Sequence, residues 1–143
     1  MADEINGVPC DKMFGAIARF RDDGELAQFR FSARNDWVEG TAENLPVPTG
    51  SATVVWSLAT VHHWKDVTKG LAEAHRVLAP GGRVLAIERQ SPPDATGLAS
   101  HGWTEQQAES FAAQCRTAGF DDVRVEGHGT GRRAVWAVHG IKP

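Results

Sequence analysis

One stretch constrains the architecture of this chain more than any other: a strand, a helix and a second strand between residues 53 and 88. Thr53-Val54-Val55-Trp56 is β-branched and aromatic without strict alternation, the pattern of a buried strand. The spacing then predicts a helix over roughly Val67 to Leu78, with Val67, Leu71, Ala74 and Leu78 on its apolar face and Asp66 at the cap position. Pro80-Gly81-Gly82 stops that helix, and Arg83-Val84-Leu85-Ala86-Ile87-Glu88 reads as another buried strand. Strands that alternate with helices imply a mostly parallel sheet covered on both faces.

The flanking segments extend the pattern. Ile5 to Val8 is a short apolar strand candidate ended by Pro9, and Asp11 caps an expected helix whose apolar face is Met13, Ile17 and Phe20. Loops are expected at about 21–35 and 90–102, and Trp37-Val38 is a further short strand candidate. Near the C-terminus, Thr104 and Gln107 fit a capping box and Trp103 with Ala108 fits the flanking staple. The stripe of that helix is Ala108, Phe111, Ala112, Cys115 and Ala118, and Gly119 ends it. Val123 and Val125 alternate, Ala134 to Val138 is strand-forming, and the two runs suggest a terminal antiparallel hairpin. The predicted order is β-α-β-β-α-β-α-β-β, and ligands in such sheets sit at the carboxyl ends of the strands.

Composition removes several function classes. At 143 residues the chain suits a single domain. A net charge of −3 excludes a broadly basic nucleic-acid binder. No apolar run nears the roughly 18 residues that span a bilayer, and no basic-then-apolar leader opens the chain. Two cysteines, Cys10 and Cys115, make no disulfide framework. The expectation is a soluble cytoplasmic protein that binds neither nucleic acid nor membrane.

Three segments carry chemistry. They are Val38-Glu39-Gly40-Thr41-Ala42-Glu43-Asn44-Leu45-Pro46, then Thr53 through Ser57-Leu58 to His62-His63-Trp64, then Arg76 through Pro80-Gly81-Gly82 to Glu88. In this order and at these separations the chain resembles the class I S-adenosylmethionine-dependent methyltransferases of the small-molecule type 11 family. The resemblance implies a Rossmann-like three-layer α/β sandwich, mostly parallel, with an antiparallel C-terminal hairpin. It implies S-adenosylmethionine as cofactor, a small-molecule methyl acceptor and no metal. Gly40, Thr41, Ala42 and Glu43 fall where the family's third strand ends and its loop meets the adenine; Thr41 replaces a frequent aspartate there. Ser57 and Leu58 fall at the methionine end of the cofactor, and His62, His63 and Trp64 on the substrate side.

The departures matter as much. The family's first strand and helix, with their acidic residue and Gly-x-Gly loop, have no counterpart, because only four residues precede Ile5. Residues 5–8 resemble the second strand, yet Pro9 or Cys10 stands where an acid bonds the ribose hydroxyls, and the nearest acid is Asp11. The resemblance therefore implies one partial, truncated domain over residues 1–143, with self-association into a homodimer as one way to complete its sheet. The alternative function is a catalytically inactive module of this fold that self-associates or binds a protein partner. A third reading is a different Rossmann-like enzyme such as a nicotinamide dehydrogenase, and the lack of Gly-x-Gly-x-x-Gly after a strand argues against it. Gly127-His128-Gly129-Thr130-Gly131 matches glycine spacing only, and its position before Arg132-Arg133 and a strand makes it a hairpin loop.

Bland readings stand beside the functional ones. His62 and His63 are open to a surface or structural role, to substrate contact, and to service as a general base suited to neutral pH. Joint metal ligation by adjacent histidines is not expected. Glu43 is either an adenine contact or a solvated cap residue. Ser57 lacks a nucleophile elbow, Cys115 is expected in the core, and Trp64 and Trp103 line either a pocket or the core.

Overall fold

The computed structural model describes residues 40–143, the side chains of 98 and 99 excepted, and the backbone of 4–5 and 8–9. The expected helix after Asp11, the loop at 21–35 and the strand at Trp37-Val38 lie outside the described residues. At the start of the chain, β1 (Glu4–Ile5) pairs antiparallel with β2 (Val8–Pro9), apart from the main sheet. The single strand expected over Ile5 to Val8 is thus two short ones. In the sequence the two are separated by Asn-Gly, a dipeptide that disfavours one continuous strand.

Among the described residues, four strands make the main sheet: β3 (Ala52–Leu58), β4 (Leu78–Arg89), β5 (Asp121–His128) and β6 (Val135–Ile141). Their spatial order is β3-β4-β6-β5. β3 and β4 run parallel, whereas β6 is antiparallel to both β4 and β5. The terminal hairpin forms as expected, but its antiparallel member is β6, inside the sheet, and β5 takes the edge. Its tip is a short 3-10 turn at Gly131–Arg133, which confirms the glycine run as a hairpin loop.

α1 (Val67–Val77) joins β3 to β4, and α2 (Glu105–Thr117) joins β4 to β5. Both cover the same face. One buried cluster holds Leu71, Ala74 and Val77 of α1, Ala108, Phe111, Ala112 and Cys115 of α2, and Val55, Val84, Ala86 and Val138 of the sheet. Right-handed crossovers that advance in one direction across a sheet place both helices on one side. Burial pushes the Cys115 thiol up to about 12 and makes it a core residue rather than a nucleophile.

Local chemistry explains the ends of these elements. Asp66 caps α1 by accepting from Lys69 N at 3.0 Å. Lys142 closes the other end: its ammonium donates to the carbonyls of His75 and Leu78, the site that a helix dipole makes favourable for a cation. Pro80-Gly81-Gly82 ends the helix but does not precede the strand. β4 already pairs at Leu78, opposite Ala52, and the three residues lie in a register shift before Arg83. Gly81, at φ +78°, makes that kink and donates to Lys142 O. Thr104 and Gln107 form the reciprocal capping box, at 3.2 and 2.8 Å. Gly119, at φ +94°, ends α2.

Candidate functional site

The carboxyl ends of β3 and β4 carry most of the residues singled out above. β3 ends at Ser57-Leu58, and Ala59 turns the chain at φ +52°. That left-handed position is unusual for a residue with a Cβ. It is held by Ala59 N–H donating to Ile87 O at 2.8 Å and by the hydroxyls of Ser57 and Thr60 bonding to each other. Ser57 is buried. Leu58 is 55% exposed, the large apolar side chain left uncovered at the strand end among the described residues.

Val61–His63 then form one 3-10 turn. Glu88, near the end of β4, is 1% exposed. Its Oε1 accepts from Val61 N at 2.8 Å, and its Oε2 lies 3.0 Å from Nδ1 of His62. A buried carboxylate is costly unless both oxygens find donors, and this one meets a backbone N–H and an imidazole. The His62 and His63 ring centroids stand 4.0 Å apart, and the ring of His101 meets that of His62 edge-on at 6.3 Å. Among the described residues no group of three or more His, Cys, Asp or Glu is arranged to hold a metal ion.

Beside His62 opens a cleft of about 250 Å³. Val61, Trp64 and Val67 form one wall; Trp103, Phe111 and the polar Gln107, Ser110 and Gln114 form the other. The two walls meet through aromatic rings: Phe111 meets Trp103 at 4.8 Å and Trp64 at 6.4 Å between ring centroids. Trp64 can settle against α1 because Gly70 lies beneath it; a Cβ there would stand 2.5 Å from Trp64 Cε3. Trp64 and Trp103 therefore belong to the core and to the cleft wall at once. Trp64 Nε1 is buried without a hydrogen-bond partner.

The turn at 41–44 sits on the other side of Trp64. Thr41 bridges Asn44, Gly40 and Thr41 are exposed, and Ala42 is buried. Glu43 Oε1 accepts from Asp66 N at 3.0 Å and fastens this turn to the start of α1. Partial burial pushes the Glu43 pKa up, but backbone donors led by Asp66 outweigh it and hold the carboxyl below its ordinary value. A second clamp lies about two turns along α1. Glu73 accepts from Leu45 N at 2.8 Å, while Arg76 grips Glu73 and donates to the carbonyls of Leu45 and Val47.

The structure thus brings His62 and Trp64 together at the cleft and sets Ser57-Leu58 beside them at the strand end. It sets Gly40 to Glu43 across Trp64 from the cleft. The sequence reading missed Glu88 and His101 as site residues. A signal for Glu88 was present: an acid closing an otherwise apolar, buried strand needs a partner. His101 has none, since a histidine in a Pro- and Gly-rich loop looks like any surface residue.

A family model described as "Methyltransferase domain" matches residues 7–86. The ubiquinone/menaquinone biosynthesis C-methyltransferase of Methylobacterium nodulans is 44% identical over 74 residues, which are 52% of this chain and 29% of that protein. The chloroplastic 2-methyl-6-phytyl-1,4-hydroquinone methyltransferase of Arabidopsis thaliana is 33% identical over 94 residues, 62% of this chain and 27% of that one. The match therefore spans under a third of each relative's length. Among solved structures, a SAM-dependent methyltransferase of Thermotoga maritima, described as a possible histamine N-methyltransferase, superposes with a TM-score of 0.57. It is 21% identical and covers 74% of this chain and 63% of its own, a likeness of fold. The parallel β3-α1-β4 unit, the inserted antiparallel strand and the family match over more than half of the residues agree: the chain belongs to the methyltransferase domain family.

Proposed function

We propose that this chain is an S-adenosylmethionine-dependent methyltransferase domain acting on a small-molecule acceptor bound over the carboxyl ends of β3 and β4. The observation that carries the reading is the aromatic cleft opening beside His62, between the β3–α1 connection and α2, in a chain of this family. Gly40, Thr41, Ala42 and Glu43, with Ser57 and Leu58, form the cofactor side; His62, His63 and Trp64 form the acceptor side. The residues present fit one wall of a nucleoside site. Gly40 and Thr41 are open to solvent on a turn anchored by Glu43, and Leu58 offers bare apolar surface where the strand ends. The cofactor, when bound, supplies a methyl group already activated on a sulfonium.

What the protein adds is placement and exclusion of water, which is most of what such a transfer needs. Trp64, with the buried Trp103 and Phe111 packed beside it, gives a planar ring an apolar surface. The two relatives are named for quinone and hydroquinone chemistry, and a dihydroxylated aromatic ring suits this cleft. A free thiol at Cys115 accords with a cytoplasmic setting. Among the described residues no helix is long and apolar enough to cross a membrane. β3 is paired on one side among the described residues, and a homodimer joined there would make elution volume depend on protein concentration.

The test is transfer of labelled methyl from S-adenosylmethionine to 1,4-dihydroxynaphthalene by the full chain. Label in the extracted naphthol product supports the reading. No label in this acceptor or in a panel of phenols, amines and thiols overturns it.

A further inference from the structure

We propose that Glu88 is a positioning residue that fixes His62 as the proton acceptor for the methyl-accepting group, which makes the acceptor one that must shed a proton. This rests on the methyltransferase reading above for its substrate, but not for its geometry. Glu88 is buried to 1% exposure and, among the described residues, meets Val61 N on Oε1 and His62 Nδ1 on Oε2. The Val61 N–H can only donate. A carboxylate that accepts on both oxygens therefore requires the proton of the neutral imidazole to sit on Nδ1. Nε2, on the far side of the ring, is then a lone pair. The ring lines the cleft, and its side chain is 24% exposed, so a proton taken there can leave to water.

The chemistry balances. A hydroxyl on the acceptor gives its proton to His62 Nε2 and keeps its electron pair, which raises the electron density of the oxygen or the conjugated ring carbon that bonds the methyl carbon. Where the ring carbon is methylated, it then loses its own C–H proton to water and the oxygen takes one back as the ring regains aromaticity. The pair of the broken carbon–sulfur bond stays on sulfur. The imidazolium formed faces the Glu88 carboxylate, which stabilises it without taking the proton. Acceptors with a lone pair that carries no proton, such as tertiary amines, gain nothing from this pair. Phenols, hydroquinones and enols gain most.

The experiment reads the tautomer, not only the activity. Long-range ¹⁵N–¹H correlation on the full chain with ¹⁵N-labelled histidine, at a pH where the ring is neutral, reports which nitrogen of His62 carries the proton. The wild type is expected to show Nδ1–H and a bare Nε2. In Glu88→Gln the amide oxygen must keep the Val61 N–H, so the amide NH₂ turns to the ring and the tautomer inverts to Nε2–H. A wild-type Nε2–H form, or a tautomer unchanged in Glu88→Gln, overturns the proposal. If the variant does not fold, the wild-type spectrum alone decides. Methyl transfer to 1,4-dihydroxynaphthalene is then expected to lose about 10²- to 10⁴-fold in kcat with KM nearly unchanged. Loss in KM alone would overturn the positioning role. Absence of transfer in the wild type would count against the methyltransferase reading, whereas the tautomer judges this one.

Discussion

Leu58 shows what a single residue can disclose. It closes a strand whose other members are half-buried or buried, yet it is 55% exposed. A leucine in water at a strand end contributes nothing to the core, so replacing it leaves stability within about 0.5 kcal/mol. If Leu58 is a wall of the cofactor site, Leu58→Asp weakens S-adenosylhomocysteine binding about tenfold or more, near 1.4 kcal/mol, at an unchanged melting temperature. Equal affinity for the variant and the wild type by titration calorimetry would contradict that placement. Ser57, Leu58, His62 and Trp64 were legible as candidates through the family resemblance, and the structure places them at and just after the carboxyl end of β3, where such sheets bind ligands. Glu43 was legible as important, with its partner hidden. The Asp66 N–H that it accepts lies 23 residues away, and no local pattern announces so distant a pairing. Glu88 escaped notice for the same reason, with its His62 partner 26 residues away.

At the scale of elements, both helices could be read because their signals are local. Asp66 before α1 and Thr104 with Gln107 before α2 are short-range chemistry, and the structure makes each bond. Thr104→Ala is expected to lower stability by about 1 kcal/mol, read as a reduced urea midpoint at constant slope; an unchanged midpoint would show the box to be decorative. The clamp of α1 on the 45–49 loop was not legible, since it spans about thirty residues. It has a pH signature. Arg76 holds the Glu73 carboxyl below its ordinary value of 4.5, with the Leu45 N–H helping and partial burial opposing. The folded state therefore binds fewer protons than the unfolded one in mild acid. The contribution of Glu73 is present above the unfolded value and is lost as pH falls through the folded one. The melting-temperature deficit of Glu73→Gln is thus largest near neutrality and shrinks below about pH 4. A deficit independent of pH from 7 to 3 would mean that the clamp works by shape rather than charge.

For the whole molecule, the parallel β3-α1-β4 unit followed from apolar runs and caps, whereas the place of β6 did not. Val123, Val125 and the Ala134 to Val138 run mark a hairpin, but nothing local tells which arm docks against β4. Burial decides: β6, with Ala137, Val138 and Gly140 buried, lies inside, and β5, exposed or half-buried throughout, takes the edge. Pro80-Gly82 misled in a related way. It stops the helix, but pairing of Leu78 with Ala52 begins β4 ahead of it, because a tertiary contact outweighs a local break. The central claim concerns this assembled end of the sheet, namely that the chain holds its cofactor there. The most direct measurement is calorimetric titration of the full chain with S-adenosylhomocysteine. The account predicts saturable one-to-one binding near micromolar affinity, about −8 kcal/mol. No heat, together with no rise in melting temperature at millimolar ligand, would contradict it.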